Sequence, residues 1–158
     1  MSSAMDRRFY LDDLRIGQTF TSGSHVLDAA QIKRFAAEFD PQPFHLDEAA
    51  AEASLLAGLA ASGWHTAAVT MRLLVDGGAP IVGGVVGAGV EISWPRPTRP
   101  GDELQVVSEV TEVTPSRSKP GRGIVVLRSE TRNQRVEVVQ VLTSTLVVPR
   151  RPSDAADG

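Results

Sequence analysis

The chain has 158 residues, 42% hydrophobic and 22% charged, with a formal net charge of −3. That length suits one domain with a core of its own, and the charge gives no general attraction to nucleic acid or to an anionic membrane. Without cysteine, disulfides, thiolate nucleophiles and cysteine-based metal sites are excluded.

The three histidines, His25, His45 and His65, fall in no paired ligand spacing, so no metal site is expected. Met1 to Arg8 lacks the apolar run of a signal peptide. The longest weakly polar stretch, Ser54 to Thr70, is interrupted by Gly58, Gly63 and His65, which suits a buried helix and its approach loop rather than a membrane span. The expectation is a soluble, cytoplasmic protein spanning residues 1–158 as one domain. Its core should run from about residue 10 to 148, with flexible ends at 1–8 and 150–158.

Thr19 to Leu27 reads as a first strand with Phe20 and Val26 as its apolar members. Asp28 then starts a helix, with Gln31 in capping-box relation to it. Ile32, Phe35 and Phe39 recur at helical spacing and give that helix one apolar face, and it ends at Phe39. Next comes Asp40-Pro41-Gln42-Pro43-Phe44-His45-Leu46-Asp47. Proline lacks a donor and pushes the residue before it toward extended geometry, so this segment is expected to run as a stiff, extended overhang. Asp47 caps a short alanine-rich helix through about Ala53.

Ser62 is the N-cap of a second long helix. Trp64, Ala67, Ala68, Met71, Leu73, Leu74 and Val75 make it apolar nearly all round, and Gly77-Gly78 stops it. Residues 82–94, 103–114, 123–133 and 135–148 are rich in Val, Ile and Thr, with turns at 95–101, 115–122 and 133–134. The third of these runs is apolar on both faces, as for burial on both sides by the helix and by a partner subunit. Strands in close succession pair antiparallel. The fold class is therefore α+β, one long central helix wrapped by one curved antiparallel sheet.

The overhang holds a carboxylate, Asp40, and an imidazole, His45, five residues apart on constrained backbone. Proton transfer to and from a small substrate needs such a pair. The plainer reading is a turn in which Asp40 caps a backbone amide and His45 covers the core.

Three segments together resemble the MaoC-like hot-dog family, which includes the (R)-specific enoyl-CoA hydratases. They are the overhang from Phe39 to Asp47, the helix start Ala61-Ser62-Gly63-Trp64-His65, and the turn Trp94-Pro95-Arg96-Pro97-Thr98-Arg99-Pro100-Gly101-Asp102-Glu103-Leu104. The likeness covers about residues 10 to 148. It departs from the family pattern at Gln42, where Asn is usual, and at Ser62, where His is usual. Gln keeps the amide donor and acceptor one methylene further out.

The resemblance implies a hot-dog fold and an enoyl-thioester hydratase or 3-hydroxyacyl-thioester dehydratase. Asp40 and His45 would act on one water, with syn addition across C2 and C3. The N–H of Gly63, in the first turn of a helix where donors are unsatisfied, is the natural oxyanion donor. Gln42, Ser62, Trp64, Arg96 and Arg99 are the expected substrate contacts, with Arg117, Lys119 and Arg122 as further cations for coenzyme A phosphates. Leu55, Leu56, Leu59 and Met71 are candidates for setting pocket depth.

His65 and His25 read as structural. No cofactor is implied beyond coenzyme A or an acyl carrier as part of the substrate, and the chain is expected to form a homodimer or a higher even oligomer. A hot-dog acyl-CoA thioesterase and a non-catalytic acyl-thioester binder remain the alternatives. Chain length and pathway are not legible.

Overall fold

The computed structural model describes residues 7–153. A single 3-10 turn, Leu11–Asp13, precedes β1 (Thr19–Leu27), α1 (Ala29–Phe39), α2 (Pro43–Leu46), α3 (Glu48–Glu52) and α4 (Gly63–Leu73). A π turn, Leu74–Gly78, ends α4, and β2 (Val86–Ser93), β3 (Asp102–Pro115), β4 (Arg122–Arg132) and β5 (Val138–Pro149) follow. The strands form one sheet in the order β1-β3-β4-β5-β2, every pair antiparallel. Each ladder carries one register irregularity, for example between Thr21 and Ser24 and between Val110 and Glu112. Such bulges bend and twist strands, which lets the sheet curve over α4. This is the α+β arrangement of central helix and curved sheet expected from the sequence.

The core forms between that sheet and the helices. Leu27, Ile32, Leu74, Leu104, Val106, Val110, Val125, Val139 and Val148 are fully buried there, and each such side chain contributes about 1.5–3 kcal/mol relative to exposure. Along β4, Val125, Leu127, Ser129 and Thr131 point inward, alternating with residues more open to solvent.

Several expectations are corrected. The overhang is not extended throughout, because Pro43 is the first residue of α2. Proline suits that position, since its missing donor has no partner there and its φ is already helical. β2 begins at Val86 rather than residue 82, since Gly83 and Gly84 adopt φ of +77° and +101°. The outer face of β4 does not stay apolar, for Arg128, Glu130 and Arg132 form an ion-pair row on it.

α4 is not apolar all round. Its inner face is His65, Thr66, Val69, Thr70 and Leu73, while Trp64 and Met71 point out. On α1, Ile32 and Ala36 are buried and Phe39 is exposed.

Part of the expected C-terminal tail is tied down. Arg150 and Arg151 pair with Asp12 and Asp13, and the Arg150 N–H donates to Gly121 O. Of the other end residues expected to be flexible, 1–6 and 154–158 lie outside the described residues.

Candidate active site

α1 delivers Asp40. Asp28 starts that helix by accepting a hydrogen bond from the Gln31 N–H at 2.8 Å, and Asp40 ends it as C-cap, its N–H on Ala36 O. Pro41 prevents continuation. Gln42 caps α2, which places His45 in a single helical turn beside the Asp40 side chain. Asp47 then caps α3 by accepting from the Ala50 N–H, so the whole Asp40–Asp47 segment is fixed at both ends.

Both carboxylate oxygens of Asp40 have donors. Gln42 Nε2 donates to Oδ1 at 2.6 Å and Ser62 Oγ donates to Oδ2 at 2.7 Å. Burial favours the neutral acid, but the hydrogen bonds from Ser62 and Gln42, with His45 nearby, hold the Asp40 carboxyl below its ordinary value. The group is a carboxylate at neutral pH.

His45 is buried, and its Nδ1 lies 2.7 Å from Ala60 O. A carbonyl only accepts, so Nδ1 carries a proton and Nε2 is the ring nitrogen turned toward Asp40. That nitrogen, Nε2, is 3.4 Å from Asp40 Oδ2. In the tautomer protonated only at Nδ1, both atoms are acceptors and do not bond each other directly. A water between them would donate one proton to each.

Ser62, the N-cap of α4, donates to Asp40 and accepts from the Trp64 N–H at 3.2 Å. Among the described residues the Gly63 N–H has no acceptor, as expected for a first-turn donor. The macrodipole adds partial positive charge there. Gly63 is also where a side chain cannot fit. A Cβ on it would stand 2.6 Å from Cε2 of the Trp94 ring.

These groups open onto one cleft of about 370 Å³, walled by Asp40, Gln42, His45, Leu56, Gly63 and Trp94, with Thr66, Thr98 and Arg96 also lining it. The size is that of a small-molecule site. Asp40, His45, Gly63, Gln42, Trp64 and Arg96, all singled out from the sequence, line this one cleft. Ser62 is fully buried and absent from the cleft lining, with its hydroxyl on Asp40.

Arg99 does not line the cleft. Its guanidinium donates to the carbonyls of Leu56, Gly58 and Leu59, where it clamps a loop. Arg117, Lys119 and Arg122 are also outside the lining. Of the residues suggested for pocket depth only Leu56 lines the cleft, for Leu55 is wholly exposed, Leu59 is in the core and Met71 faces outward.

His65 stacks on Phe35 with ring centroids 4.4 Å apart and planes at 4°. Burial, then the nearby positive charges of His25 and Arg34, push its pKa down to about 4, so it packs as a neutral ring. His25 Nε2 lies 2.8 Å from Gln31 Oε1.

Sequence reasoning passed over Trp94, Thr66 and Thr98. Trp94 stands inside the proline-rich turn motif, and the two threonines meet only through an Oγ1–Oγ1 hydrogen bond of 3.1 Å between α4 and that turn. Among the described residues no three His, Asp or Glu side chains gather as a metal site, and no helix is long and apolar enough to cross a membrane.

Residues 13–133 match the family model described as MaoC like domain. The chain is similar to the crystal structure of the MaoC-like dehydratase from Rhodospirillum rubrum, with 61% identity and a TM-score of 0.90 over 92% of this chain and 99% of that one. An (R)-hydratase from A. caviae involved in PHA biosynthesis superposes with a TM-score of 0.64 at 27% identity, covering 87% of this chain and 98% of its own. The uncharacterized protein YdeM of Bacillus subtilis (strain 168) is 35% identical over 140 residues, 87% of this chain and 97% of that protein.

Proposed function

The chain belongs to the MaoC-like domain family, and from that premise we propose that it is an (R)-specific enoyl-thioester hydratase, or the reverse 3-hydroxyacyl-thioester dehydratase. The carrying observation is the juxtaposition of Asp40 Oδ2 and His45 Nε2, 3.4 Å apart in a cleft that also holds the unpaired Gly63 N–H.

In this reading the enoyl thioester binds with its carbonyl oxygen on the Gly63 N–H. Asp40, kept ionised by Ser62 and Gln42, orients the water by accepting a hydrogen bond from the O–H that the product keeps. His45 Nε2 takes the other proton as the general base. The hydroxide oxygen bonds to C3, the C2–C3 π electrons move to C2 and the carbonyl, and charge collects on the oxygen beside Gly63. His45 then returns its proton to C2 on the same face. Atoms balance as the substrate plus one water, with no separate cofactor. The thioester carrier is coenzyme A or an acyl carrier protein.

A homodimer completes the proposal. β2 is an edge strand with Val86 and Val90 exposed at 56% and 61%. Met71 and Val75 of the α4 segment expose a second apolar strip, continuous in the helix with Trp64 at the cleft. An open apolar edge is a template for pairing with another chain, and a second copy supplies a self-complementary one.

The test is to mix the protein with a short trans-2-enoyl-CoA and follow loss of the conjugated thioester absorbance. Asp40→Asn and His45→Gln run in parallel, and each should lower turnover by about 10²–10⁴-fold while retaining binding of a saturated acyl-CoA. Release of free thiol without hydration would replace this reading with a thioesterase. Binding without either signal would leave a non-catalytic binder.

A further inference from the structure

Trp94, the residue after β2, is held more firmly than a pocket-lining side chain needs to be. Its indole Nε1 donates to Gln140 Oε1 at 3.0 Å. Gln140 lies on β5, fully buried, and the direction of every bond around it follows from chemistry. An indole N–H only donates, so the amide oxygen must face it. The amide nitrogen then faces Thr70, and donates to Thr70 Oγ1 at 2.9 Å. Thr70 in turn gives its proton to Thr66 O at 2.9 Å, so the Thr131 hydroxyl, 2.6 Å away, donates to Thr70. A polar amide buried in a strand is unfavourable unless it is bonded in this way. This chain of bonds runs through α4, β4 and β5 and terminates on the cleft wall.

The ring is also fixed by contact. Its six-membered portion lies over Gly63, so close that a Cβ there would be 2.6, 2.7 and 2.9 Å from three ring carbons. Trp64 meets it edge-on, with centroids 5.5 Å apart and planes at 80°. The indole therefore stands beside the N–H proposed to bind the thioester carbonyl, unable to rotate without breaking the Gln140 bond or striking the Gly63 backbone.

We infer that Trp94 is a fixed wall that restricts the enzyme to short acyl groups, with Gln140 as the positioning residue that holds it. The inference rests on the thioester reading given above and adds the class of acyl chain. In the pose this implies, the acyl chain leaves C3 toward the indole, and the fixed ring limits the methylenes that the cleft accepts on that side.

The test compares crotonyl-CoA with trans-2-octenoyl-CoA in the native protein and in Trp94→Ala, Trp94→Phe and Gln140→Leu. The native protein should favour the short substrate. Trp94→Ala should raise the ratio of kcat/KM for the long over the short substrate by about tenfold or more, the scale set by methylenes in an apolar pocket. Gln140→Leu should move the ratio the same way by a smaller factor, while Trp94→Phe, which keeps most of the wall, should move it least.

A ratio within about twofold of native in Trp94→Ala would overturn the inference. So would a native protein that handles the long substrate as well as the short one. A partial loss of overall activity leaves the ratio as the readout, and Trp94→Phe provides the variant that answers where Trp94→Ala does not fold.

Binding of butyryl-CoA and octanoyl-CoA, which cannot be hydrated, is measured by calorimetry on the same four proteins. If no hydration occurs but native protein binds only the short thioester and Trp94→Ala binds both, the wall stands and the hydratase reading falls. If hydration occurs and chain preference is unchanged in every variant, the wall falls alone.

Discussion

Ser62 Oγ donates to Asp40 Oδ2 at 2.7 Å, and this one bond ties the start of α4 to the end of α1. The same oxygen is the one nearest His45 Nε2. The hydroxyl therefore sets both where the carboxylate sits and how readily it takes a proton.

Replacing Ser62 by Ala removes one of the two donors that hold the Asp40 carboxyl below its ordinary value. A depressed carboxylate pKa favours the ionised, working form above that value and loses it as pH falls through it. With Ser62 gone, burial is less opposed, so the Asp40 carboxyl, followed directly by carbon NMR, should titrate at higher pH than in the native protein. The N-cap is lost as well, at a stability cost of about 0.5–2 kcal/mol. Ser62→Thr keeps the hydroxyl and should keep the native Asp40 titration. An unmoved Asp40 titration in Ser62→Ala would show that this bond does not tune the carboxylate.

Gly63 packs against Trp94 and is proposed to bind the thioester carbonyl, and a double-mutant cycle separates the two. Gly63→Ala places a methyl into the Trp94 ring, where a Cβ has 2.6 Å of space, and displaces the N–H from the carbonyl it is proposed to bind. Loss of one oxyanion donor costs about 10²–10³-fold in kcat. Where the ring clash causes the loss, Gly63→Ala should be markedly less harmful in a Trp94→Ala background. A fully additive cycle would mean that the methyl acts without the ring.

The parts of this site legible in the sequence are those fixed by local chemistry. Asp28, Asp47 and Ser62 announce helix starts through short side chains that accept N–H bonds. Asp40 and His45 stand out because Pro41 and Pro43 confine the backbone between them. Pro43 also misled, since the residue that bars a helix interior is favoured at its first position, and α2 begins there.

What the sequence hid are contacts between distant segments. Trp94 meets Gln140 from 46 positions away, and Arg99 reaches the carbonyls of Leu56, Gly58 and Leu59 from about 40. The inner face of α4 was misjudged for a related reason. Thr66 and Thr70 are buried there because hydroxyls from Thr98 and Thr131 meet them, while Trp64 and Met71 face away. Hydrophobicity alone ranks them the other way round.

His65 makes stability sensitive to acid. Its folded pKa is lowered from 6.5 to about 4, first by burial, then by His25 and Arg34. Between those two values the unfolded chain binds a proton that the folded chain refuses, so folding stability falls as pH drops through that window. Above about 6.5 the effect is absent, and below about 4 it is complete. His65→Phe preserves a ring against Phe35 and removes the titration. Urea midpoints measured from pH 7 to pH 4 should therefore fall less steeply in His65→Phe than in the native protein. Parallel slopes would assign the acid sensitivity elsewhere.

Arg99 offers a direct choice between a phosphate-binding cation and a loop clamp. Its guanidinium donates to Leu56 O, and to Gly58 O and Leu59 O at 2.8 and 3.2 Å. The next residue along that loop, Ala60, holds His45 Nδ1 by its carbonyl at 2.7 Å, and the Ala61 N–H donates to Thr98 O. An ammonium cannot span three carbonyls in the way a planar fork does. Arg99→Lys should therefore keep the charge yet lower stability by about 1–3 kcal/mol, since bonds from charged donors are lost. Amide exchange at Leu59 to Ala61 should accelerate, and kcat should fall because His45 loses its fixed tautomer partner. The phosphate role predicts the reverse pattern. Stability and exchange would be native in Arg99→Ala, and KM would rise for a coenzyme A thioester but not for the matching pantetheine thioester, which lacks the nucleotide phosphates.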